Sequence, residues 1–475
     1  MAHGECRSAG ALVERRAEAS LADADTAGVL KIAGAFQLYQ QAVGELRLAQ
    51  VPQVQAAFSR AGPLSAWVVI WLMIYQRLHA KGTLSIAVGE LLTGAAGSFV
   101  HRSGGVASAP LSANTSAYSQ ARSRLPVEVA EKVSDWIFEA LNERPQIPPG
   151  LGQPMFLLDG STILLAHSDD LVAHYPPPCN QHGASHWPVI RIVVAHDVVG
   201  GLAVRPVWGP IGGTAAVSEQ GLAKIIIDRL PADCGVTGDR NFGVFSMAWH
   251  TTGQAHPCLF RLTDLRATKL NHGILPRAGS DRQIRWDPSR QDLRNNPEIS
   301  AESFVAGRLL AFRTHEVGGK WQKLYFFTTL TLPPQQILEL YGYRWNIETD
   351  LRSLKREVRL HALDAQSAAM VAKELVLRVA AYNLTRAAMN AAATALNLNP
   401  RQLSFSRAQD MLNAFLPVFA NATSEEQRQR IMQQMLTAFS QSKLPSRRKR
   451  RSAPRTIWPR PCSFPKRKAA EKGLA

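Results

Sequence analysis

Residues Tyr341 to Lys355 read YGYRWNIETDLRSLK, the most informative stretch of the 475-residue chain. Pro333 and Pro334 precede this stretch and no proline lies within it, which predicts a helix that begins at the prolines. At about 100° per residue, one face of this helix gathers a phenol, two bases and an acid within roughly 60°. They are Tyr341, Arg344, Glu348 and Lys355. An ordinary solvated face would mix its charges, so this single polar line points to a function.

The other sides of the predicted helix have a different character. Asp350 and Glu357 fall roughly opposite the polar line. The positions expected to face a core are Leu340, Ile347, Leu351, Leu354 and Val358. Gly342 costs about 1 kcal/mol relative to alanine within a helix, which makes sense if something large approaches the backbone there.

The four polar residues follow the spacing Tyr, two residues, Arg, three residues, Glu, six residues, Lys. In this respect the chain resembles the DDE transposases of bacterial insertion sequences, in the group defined by a Y-R-E-K signature. An amphipathic helix that matches by chance is the alternative. The resemblance implies an RNase H-like catalytic core and an enzyme that acts on DNA.

The composition is strongly basic. There are 54 Lys and Arg residues against 37 Asp and Glu residues, a formal charge of +17. A surplus of this size favours a polyanionic partner, with nucleic acid ahead of a membrane surface, although a merely basic protein has the same composition. With 46% apolar residues, the chain is long enough for two or three domains with a sizeable core.

The cysteines and the apolar runs indicate the cellular compartment in which the protein is expected. The five cysteines are scattered without a CxxC pair, so neither a zinc finger nor a disulfide framework is expected, as suits a reducing cytoplasm. The start, MAHGECRSAG, lacks the apolar segment of a signal peptide. The longest apolar run, from Ala66 to Tyr75, is too short to span a bilayer. We therefore expect a cytoplasmic protein without membrane contact, and the resemblance implies that it is bacterial and associated with the nucleoid.

The amino-terminal part has a helical pattern. Residues 1–32 are expected to be loosely ordered, and residues 33–146 to form a helical DNA-binding domain. Two short helices around a Gly/Ser-rich break are consistent with a helix-turn-helix-like DNA reader. Its exposed side would carry Ser116, Ser119, Arg122 and Arg124. A helical bundle with a polar face is the alternative, and the resemblance favours DNA binding, because these transposases carry such a domain.

Residues 155–254 change to a pattern of strands and are predicted to form the first part of an α/β, RNase H-like core. A short apolar strand ends at Asp159, and two runs at 189–195 and 201–207 suggest a hairpin. After a helix, another short strand ends at Asp239. Ligands of α/β sheets collect at the carboxyl ends of strands, where both aspartates are expected.

The rest of the chain divides into four predicted segments. Residues 255–331 are predicted to form a β-strand insertion domain, and residues 332–400 the second part of the core with the signature helix. C-terminal helices follow at 401–441, and a basic tail at 442–475. The prolines of this tail exclude a helix, so it is expected either to lie along DNA phosphates or to be a solvated tail. Its densest run is Arg447, Arg448, Lys449, Arg450 and Arg451.

Three carboxylates from separate elements are the predicted catalytic and metal-binding residues. Asp159-Gly160-Ser161 resembles the family's D-G-[ST] element, and Gly238 to Gly243, GDRNFG, resembles its D-R-x-F-G element. A single acid is more often a cap or a surface residue, but three elements in the right order are more specific. Asp159, Asp239 and Glu348 are therefore expected to bind two Mg²⁺ (or Mn²⁺) ions about 4 Å apart.

The resemblance also implies residues that contact DNA. Those expected at or near the backbone phosphates are Tyr341, Arg344, Lys355 and Arg240. Some members flip a base and stack it on aromatic side chains, and Trp345 would wall such a pocket. Trp321, at the turn of a predicted hairpin, would be either a stacking wedge or an ordinary hairpin aromatic.

Other types of site are less well supported. The histidines at 167, 174, 182 and 186 invite a zinc interpretation, but their spacing fits no metal motif and a loop of ordinary histidines is the alternative. No G-x-x-x-x-G-K-[ST] loop occurs, so ATP is not expected.

Together these features predict a cut-and-paste transposase. It would bind terminal inverted repeats in double-stranded DNA, cleave at the element ends and join the 3′-OH ends to target DNA, as a homodimer on DNA. Whether the second strand is cut through a hairpin stays open. The rivals are a transposase-derived DNA-binding protein without cleavage and a structure-specific nuclease with the same site.

Overall fold

The computed structural model describes residues 34–58, 62–79, 82–97, 112–143, 146–148, 150–180, 183–315, 321–361 and 363–444. The loosely ordered start predicted at 1–32 and the basic run at 447–451 lie outside these residues. No helix of the described residues is long and apolar enough to cross a membrane.

The amino-terminal segment folds into seven helices among the residues described. They are α1 (Ala35–Val43), α2 (Glu45–Ala49), α3 (Pro52–Ala57), α4 (Ala66–Leu78), α5 (Leu84–Thr93), α6 (Ser116–Arg124) and α7 (Val127–Leu141). The longest apolar run, from Ala66 to Tyr75, lies in the buried helix α4, in which Trp67 and Trp71 pack against Phe36 and Tyr39.

One residue of the expected DNA-reading face is not available to DNA. Ser116, Ser119 and Arg124 are exposed, but Arg122 is buried and its Nη2 donates to Glu374 Oε1 at 2.9 Å. The prediction of an exposed Arg122 is therefore wrong. The periodicity of α6 did not reveal that a carboxylate from a distant helix, Glu374, would cover this side.

An eight-stranded mixed sheet forms the centre of the α/β part. Its strands are β1 (Met155–Leu164), β4 (Val189–Asp197), β5 (Val207–Pro210), β6 (Gly235–Gly238), β7 (Cys258–Leu262), β8 (Asp281–Trp286), β9 (Val305–His315) and β10 (Trp321–Thr328). They lie in the order β5-β4-β1-β6-β7-β10-β9-β8, and β1, β6 and β7 are parallel neighbours. A small ribbon pairs β2 (Cys179–Asn180) with β3 (Gly183–Ala184). The first five strands of this order, in which β4 is antiparallel to both of its neighbours β1 and β5, give the predicted RNase H-like α/β arrangement.

The helices between the strands are α8 (Asp169–His174), α9 (Glu219–Ile227), α10 (Phe245–Gly253), α11 (Asp264–Leu270) and α12 (Arg290–Asn295). The connection from β6 to β7 runs through α10, as a parallel pair requires. Residues 258–262 therefore belong to the central sheet, although the sequence prediction placed them in a separate β insertion at 255–331. The later strands β8, β9 and β10 also extend this sheet and do not form one of their own.

The predicted hairpin is present with a later second strand. β4 pairs with β5, but β5 begins at Val207 rather than at Gly201. The Asp197 carboxylate accepts hydrogen bonds from the backbone N–H groups of Gly200 and Gly201, which fix the turn between the two runs. Ala203 forms an isolated antiparallel bridge with His196 before β5 begins.

The signature stretch is helical but interrupted. It consists of α13 (Pro334–Gly342), α14 (Arg344–Arg352) and a π-helical turn (Ser353–Glu357). The break is at Tyr343, whose N–H donates to the Leu340 carbonyl three residues back, whereas an α-helix requires the carbonyl four residues back. The prediction of one continuous α-helix is therefore wrong, and the π turn changes the angular position of Lys355 relative to Glu348.

A long central helix and two further helices complete the fold. The central helix is α15 (Ala368–Ala395), and a 3₁₀ turn (Pro400–Gln402) leads to α16 (Phe405–Ala420) and α17 (Glu425–Gln441). α15 packs against α4, α7 and α16, so its residues are buried nearly all round. It thus joins the amino-terminal helices to the carboxyl-terminal ones.

Candidate active site

Asp159 and Asp239 lie side by side on the central sheet. Asp159 follows Leu158 in β1, and Asp239 directly follows Gly238 at the end of β6. Leu158 and Gly238 are register partners in the parallel β1–β6 pair. Because neighbouring strands are about 4.8 Å apart, the two aspartates occupy adjacent positions where the β1–β6 pairing ends. The strand end predicted at Asp159 is wrong, because β1 continues to Leu164 while paired with β4.

The environment of Asp159 favours its protonated form. Burial raises the pKa of Asp159 to about 6, and the charges of Asp239 and Glu219 act in the same direction. The Gly160 N–H, which donates to Asp159 Oδ1 at 2.8 Å, and the charge of Arg344 oppose this rise. A carboxyl group held among other carboxylates in this way is typical of a functional site.

Close packing explains why glycine occupies both ends of the GDRNFG motif around Asp239. A Cβ on Gly238 would lie 2.9 Å from the Phe242 ring, which is fully buried, and a Cβ on Gly243 would lie 2.0 Å from the Arg261 carbonyl oxygen. The loop is closed by the Asn241 N–H, which donates to Asp239 Oδ1 at 2.8 Å. This packing holds the Asp239 carboxylate at the end of its strand.

Glu348 lies on α14, which packs against β1. Its side chain is 44% exposed and forms an ion pair with Arg344 one turn earlier, at 3.5 Å between Oε1 and Nη1. The charge of Arg344 in turn acts on Asp159. Arg344 thus links the glutamate of the signature helix to the aspartates of the sheet.

The other members of the polar line have different surroundings. Tyr341 is buried, its ring centroid is 4.5 Å from that of Phe326, and burial raises its pKa. Lys355 lies half-buried in the π turn. The backbone of Trp345 lies in α14, and its side chain is outside the described part of the chain. Tyr341 is therefore buried, whereas the polar face predicted from the sequence would expose it to solvent.

The opposite side of α14 rests on a buried charge cluster. Asp350 is 1% exposed, and its carboxylate accepts hydrogen bonds from Arg386 of α15 and from Arg401 of the 3₁₀ turn. Burial would raise the pKa of Asp350, but the two guanidinium groups hold it below its usual value. The sequence pattern placed Asp350 opposite the polar line but did not reveal its two partners.

The same cluster fixes the turn that follows β4. Arg401 donates from Nε to the Val199 carbonyl at 2.8 Å, and Asn346 of α14 donates to the Val198 carbonyl at 3.1 Å. The bond from Asn346 ties α14 to the turn after β4, and the bond from Arg401 ties the 3₁₀ turn to the same place. Asn346, Arg386 and Arg401 were missed by sequence reasoning, because partners more than 30 residues away leave no local signal.

Sequence reasoning also missed a further carboxylate, that of Glu219 at the start of α9. A Cβ on Gly160 would lie 2.2 Å from Glu219 Oε1, so this side chain lies directly over β1 beside Asp159. Burial raises the pKa of Glu219, and the nearby Asp239 adds to the rise. In the sequence, Glu219 follows the N-cap Ser218 and is indistinguishable from an ordinary first-turn acid.

The remaining predicted DNA contacts are spread around this centre. Arg240 is exposed, and its carbonyl accepts from Arg266 Nη1 at 2.8 Å. Trp321 is 54% exposed, with the Arg313 guanidinium 4.3 Å from its ring centroid. A cleft of about 930 Å³ is lined in part by Gln220 and Arg266.

The donor chemistry of this centre fits a hard divalent cation. Asp159, Asp239 and Glu219 supply carboxylate oxygens, the ligands that Mg²⁺ prefers, and Gly160 leaves room for the third of them. In the arrangement described, no three Asp, Glu, His or Cys side chains are close enough to hold a metal ion together. His167 stacks on His186 with ring centroids 4.3 Å apart.

Comparison with known proteins agrees with this geometry. Residues 150–384, which contain all three predicted carboxylates, match the family model described as the transposase DDE domain. Over 359 residues, the chain is 25% identical to "Transposase InsG for insertion sequence element IS4" from Escherichia coli (strain K12), covering 74% of this chain and 78% of that protein. Residues 150–384 of this chain therefore belong to the transposase DDE domain family. As a transposase of this family, it is an enzyme, and DNA is its partner.

A solved structure of another transposase is similar over most of the chain. It is the piggyBac transposase synaptic complex with hairpin DNA, with 9% identity and a TM-score of 0.43, covering 87% of this chain and 86% of that one. Members of the DDE family use divalent metal ions.

Proposed function

We propose that this transposase cleaves DNA at the ends of its element and joins the 3′-OH ends to target DNA, using Asp159, Asp239 and Glu348. The observation that carries the proposal is the placement of Asp159 and Asp239 at adjacent positions on two parallel strands, with the signature helix α14 packed against β1. In this mechanism, water attacks the phosphorus atom at the element end and the P–O3′ bond breaks. The freed 3′-OH then attacks a target phosphodiester and displaces a target 3′-oxygen.

The three carboxylates would hold two Mg²⁺ (or Mn²⁺) ions, which activate the attacking oxygen and stabilise the leaving oxygen. Arg344 would take part in assembling the site. Its ion pair with Glu348 and its charge beside Asp159 are consistent with a cation that moves to a DNA phosphate when substrate binds. Release of Glu348 would then complete the set of carboxylates.

DNA would be bound by residues around this centre. Those proposed are Tyr341, Arg344, Trp345, Lys355, Arg240 and Trp321, with the basic run Arg447, Arg448, Lys449, Arg450 and Arg451 as an arm along phosphates. The proposed substrates are the terminal inverted repeats and target DNA, held by a homodimer. The exposed ring of Trp321 is available as a stacking wedge if the second strand is cut through a hairpin.

The test uses purified protein and linear DNA that carries the ends flanking its own gene. Cleavage is measured with Mg²⁺, with EDTA, and with the Asp159→Asn variant. We expect cutting at the element ends that requires metal and is lost in the variant, followed by joined strands when target plasmid is added. Tight end binding without cutting under any metal would favour a DNA-binding protein, and free ends without joined strands would favour a nuclease.

A further inference from the structure

Gly160 and Glu219 fit together as a pair. Gly160 follows Asp159 on β1 and has no side chain, and the space a Cβ would need is filled by the carboxylate end of Glu219, with 2.2 Å to Oε1 and 2.4 Å to Cδ. Glu219 reaches this position from the first turn of α9, after the N-cap Ser218. A first-turn glutamate gains from the helix dipole wherever its side chain turns, so the dipole does not account for its place over Gly160.

The start of α9 is also tied to the loop that carries Asp239. Gln220 Nε2 donates to the Asn241 carbonyl at 2.8 Å, and the Asn241 N–H donates to Asp239 Oδ1 at 2.8 Å. The Asn241 side chain forms a hydrogen bond with Glu219. Glu219 is thereby held within the electrostatic range of both aspartates, with Arg191 as the nearby opposing charge.

Three carboxylates within electrostatic range of one another repel, and a cation bound between them would remove the repulsion. We propose that Glu219 is a fourth carboxylate of the metal site, which binds the cation from the α9 side of the sheet. This inference rests on the proposed function, because it assigns Glu219 to the site formed by Asp159, Asp239 and Glu348. Gly160 is then required because any side chain there would displace the Glu219 carboxylate.

The test measures Mn²⁺ binding to the full-length protein by electron paramagnetic resonance, without DNA. Glu219→Gln is expected to weaken Mn²⁺ binding about tenfold or more. Glu128→Gln is the matched control, because Glu128 is an exposed first-turn acid of α7, and we expect its affinity to stay within about twofold of wild type. Circular dichroism and thermal unfolding check that both variants fold.

Gly160→Ala gives a second, independent test. The clash in this variant is with the flexible end of a side chain, so the fold is expected to survive while the Glu219 carboxylate is displaced. We expect Gly160→Ala to weaken Mn²⁺ binding as Glu219→Gln does, and the double variant to bind no more weakly than either single variant.

The outcomes separate this inference from the proposed function. If Asp159→Asn loses Mn²⁺ binding while Glu219→Gln and Gly160→Ala match the control, Glu219 lies outside the metal site and the proposed function stands. If Asp159→Asn binds Mn²⁺ as wild type does, the proposed metal site is itself wrong, and the proposed role of Glu219 is wrong as well.

Discussion

Asp159 and Asp239 lie at adjacent positions on two parallel strands, one step beyond the register pair Leu158–Gly238. The charge of Asp239 adds to the effect of burial and helps to raise the pKa of Asp159 to about 6. Their closeness therefore destabilises the metal-free protein, because two carboxylates of like charge lie near each other where burial limits their hydration.

The first prediction concerns Asp159→Asn in EDTA. A carboxyl group whose pKa is higher in the folded chain binds its proton more tightly there, so the stability it contributes is present below about pH 4 and lost as pH rises through 6. The asparagine variant is therefore expected to be more stable than wild type at pH 8, by on the order of 2 kcal/mol. Urea unfolding at pH 4 and pH 8 measures this difference.

Asp239, Glu219 and Arg344 face Asp159 in both proteins, so the comparison isolates the Asp159 carboxyl group. The stability gain should shrink toward zero at pH 4. A variant that is less stable than wild type at pH 8 in EDTA would contradict the electrostatic account of the site.

The second prediction concerns the buried ion pairs of Asp350, on the side of the signature helix α14 that faces the protein interior. Asp350→Asn leaves Arg386 and Arg401 without their shared carboxylate, and breaking a buried pair in this way typically costs about 3–5 kcal/mol. Asp287→Asn is the control, because Asp287 pairs with Arg285 on the surface and such pairs contribute less than about 1 kcal/mol. Equal free energies of unfolding for the two variants would show that the cluster does not hold α14.

The third prediction concerns Arg344 and DNA. If Arg344 binds a phosphate, Arg344→Ala should weaken DNA binding and reduce the slope of log affinity against log salt concentration by about one. Arg428→Ala is the control, because Arg428 forms a similar within-helix pair with Glu425 on α17. Fluorescence anisotropy over a range of salt concentrations gives both slopes, and identical slopes would exclude a phosphate contact by Arg344.

The fourth prediction concerns Trp321. Because its side chain is 54% exposed, Trp321→Ala should change the free energy of unfolding by less than about 1 kcal/mol. If the ring is a stacking wedge, the first nick should persist while hairpin ends decrease, and Trp321→Phe should restore them. Denaturing gels resolve nicked and hairpin ends, and an unchanged ratio in Trp321→Ala would make the residue an ordinary hairpin aromatic.

Much of the α/β core was predictable because its signals are local. Apolar runs that end in Asp159 and Asp239 predicted the strands that carry these carboxylates, although β1 continues past Asp159 to Leu164. Helical spacing placed Asp350 away from Glu348. Local patterns did not reveal that β7 pairs in parallel with β6, which depends on the crossover through α10. This is why residues 258–262 were assigned to an insertion.

The parts of the site that were not predicted depend on contacts distant in sequence. Glu219 looks like any first-turn acid until Gly160 is placed beside it, and Arg122 looks exposed until α15 supplies Glu374. The interruption at Tyr343 likewise does not follow from helix propensity. Residue spacing therefore predicts which groups belong to the site more readily than it predicts what surrounds them.

The most direct test of the central claim is DNA cleavage by Glu348→Gln in Mg²⁺, with end binding measured in the same samples. Glu339→Gln is the matched control, because Glu339 is an exposed glutamate nine residues earlier on the preceding helix α13. We predict that Glu348→Gln binds element ends as wild type does but cleaves and joins at less than about one-hundredth of the rate, while Glu339→Gln is unaffected. Cleavage by Glu348→Gln at the wild-type rate would contradict the assignment of Asp159, Asp239 and Glu348 as the catalytic carboxylates.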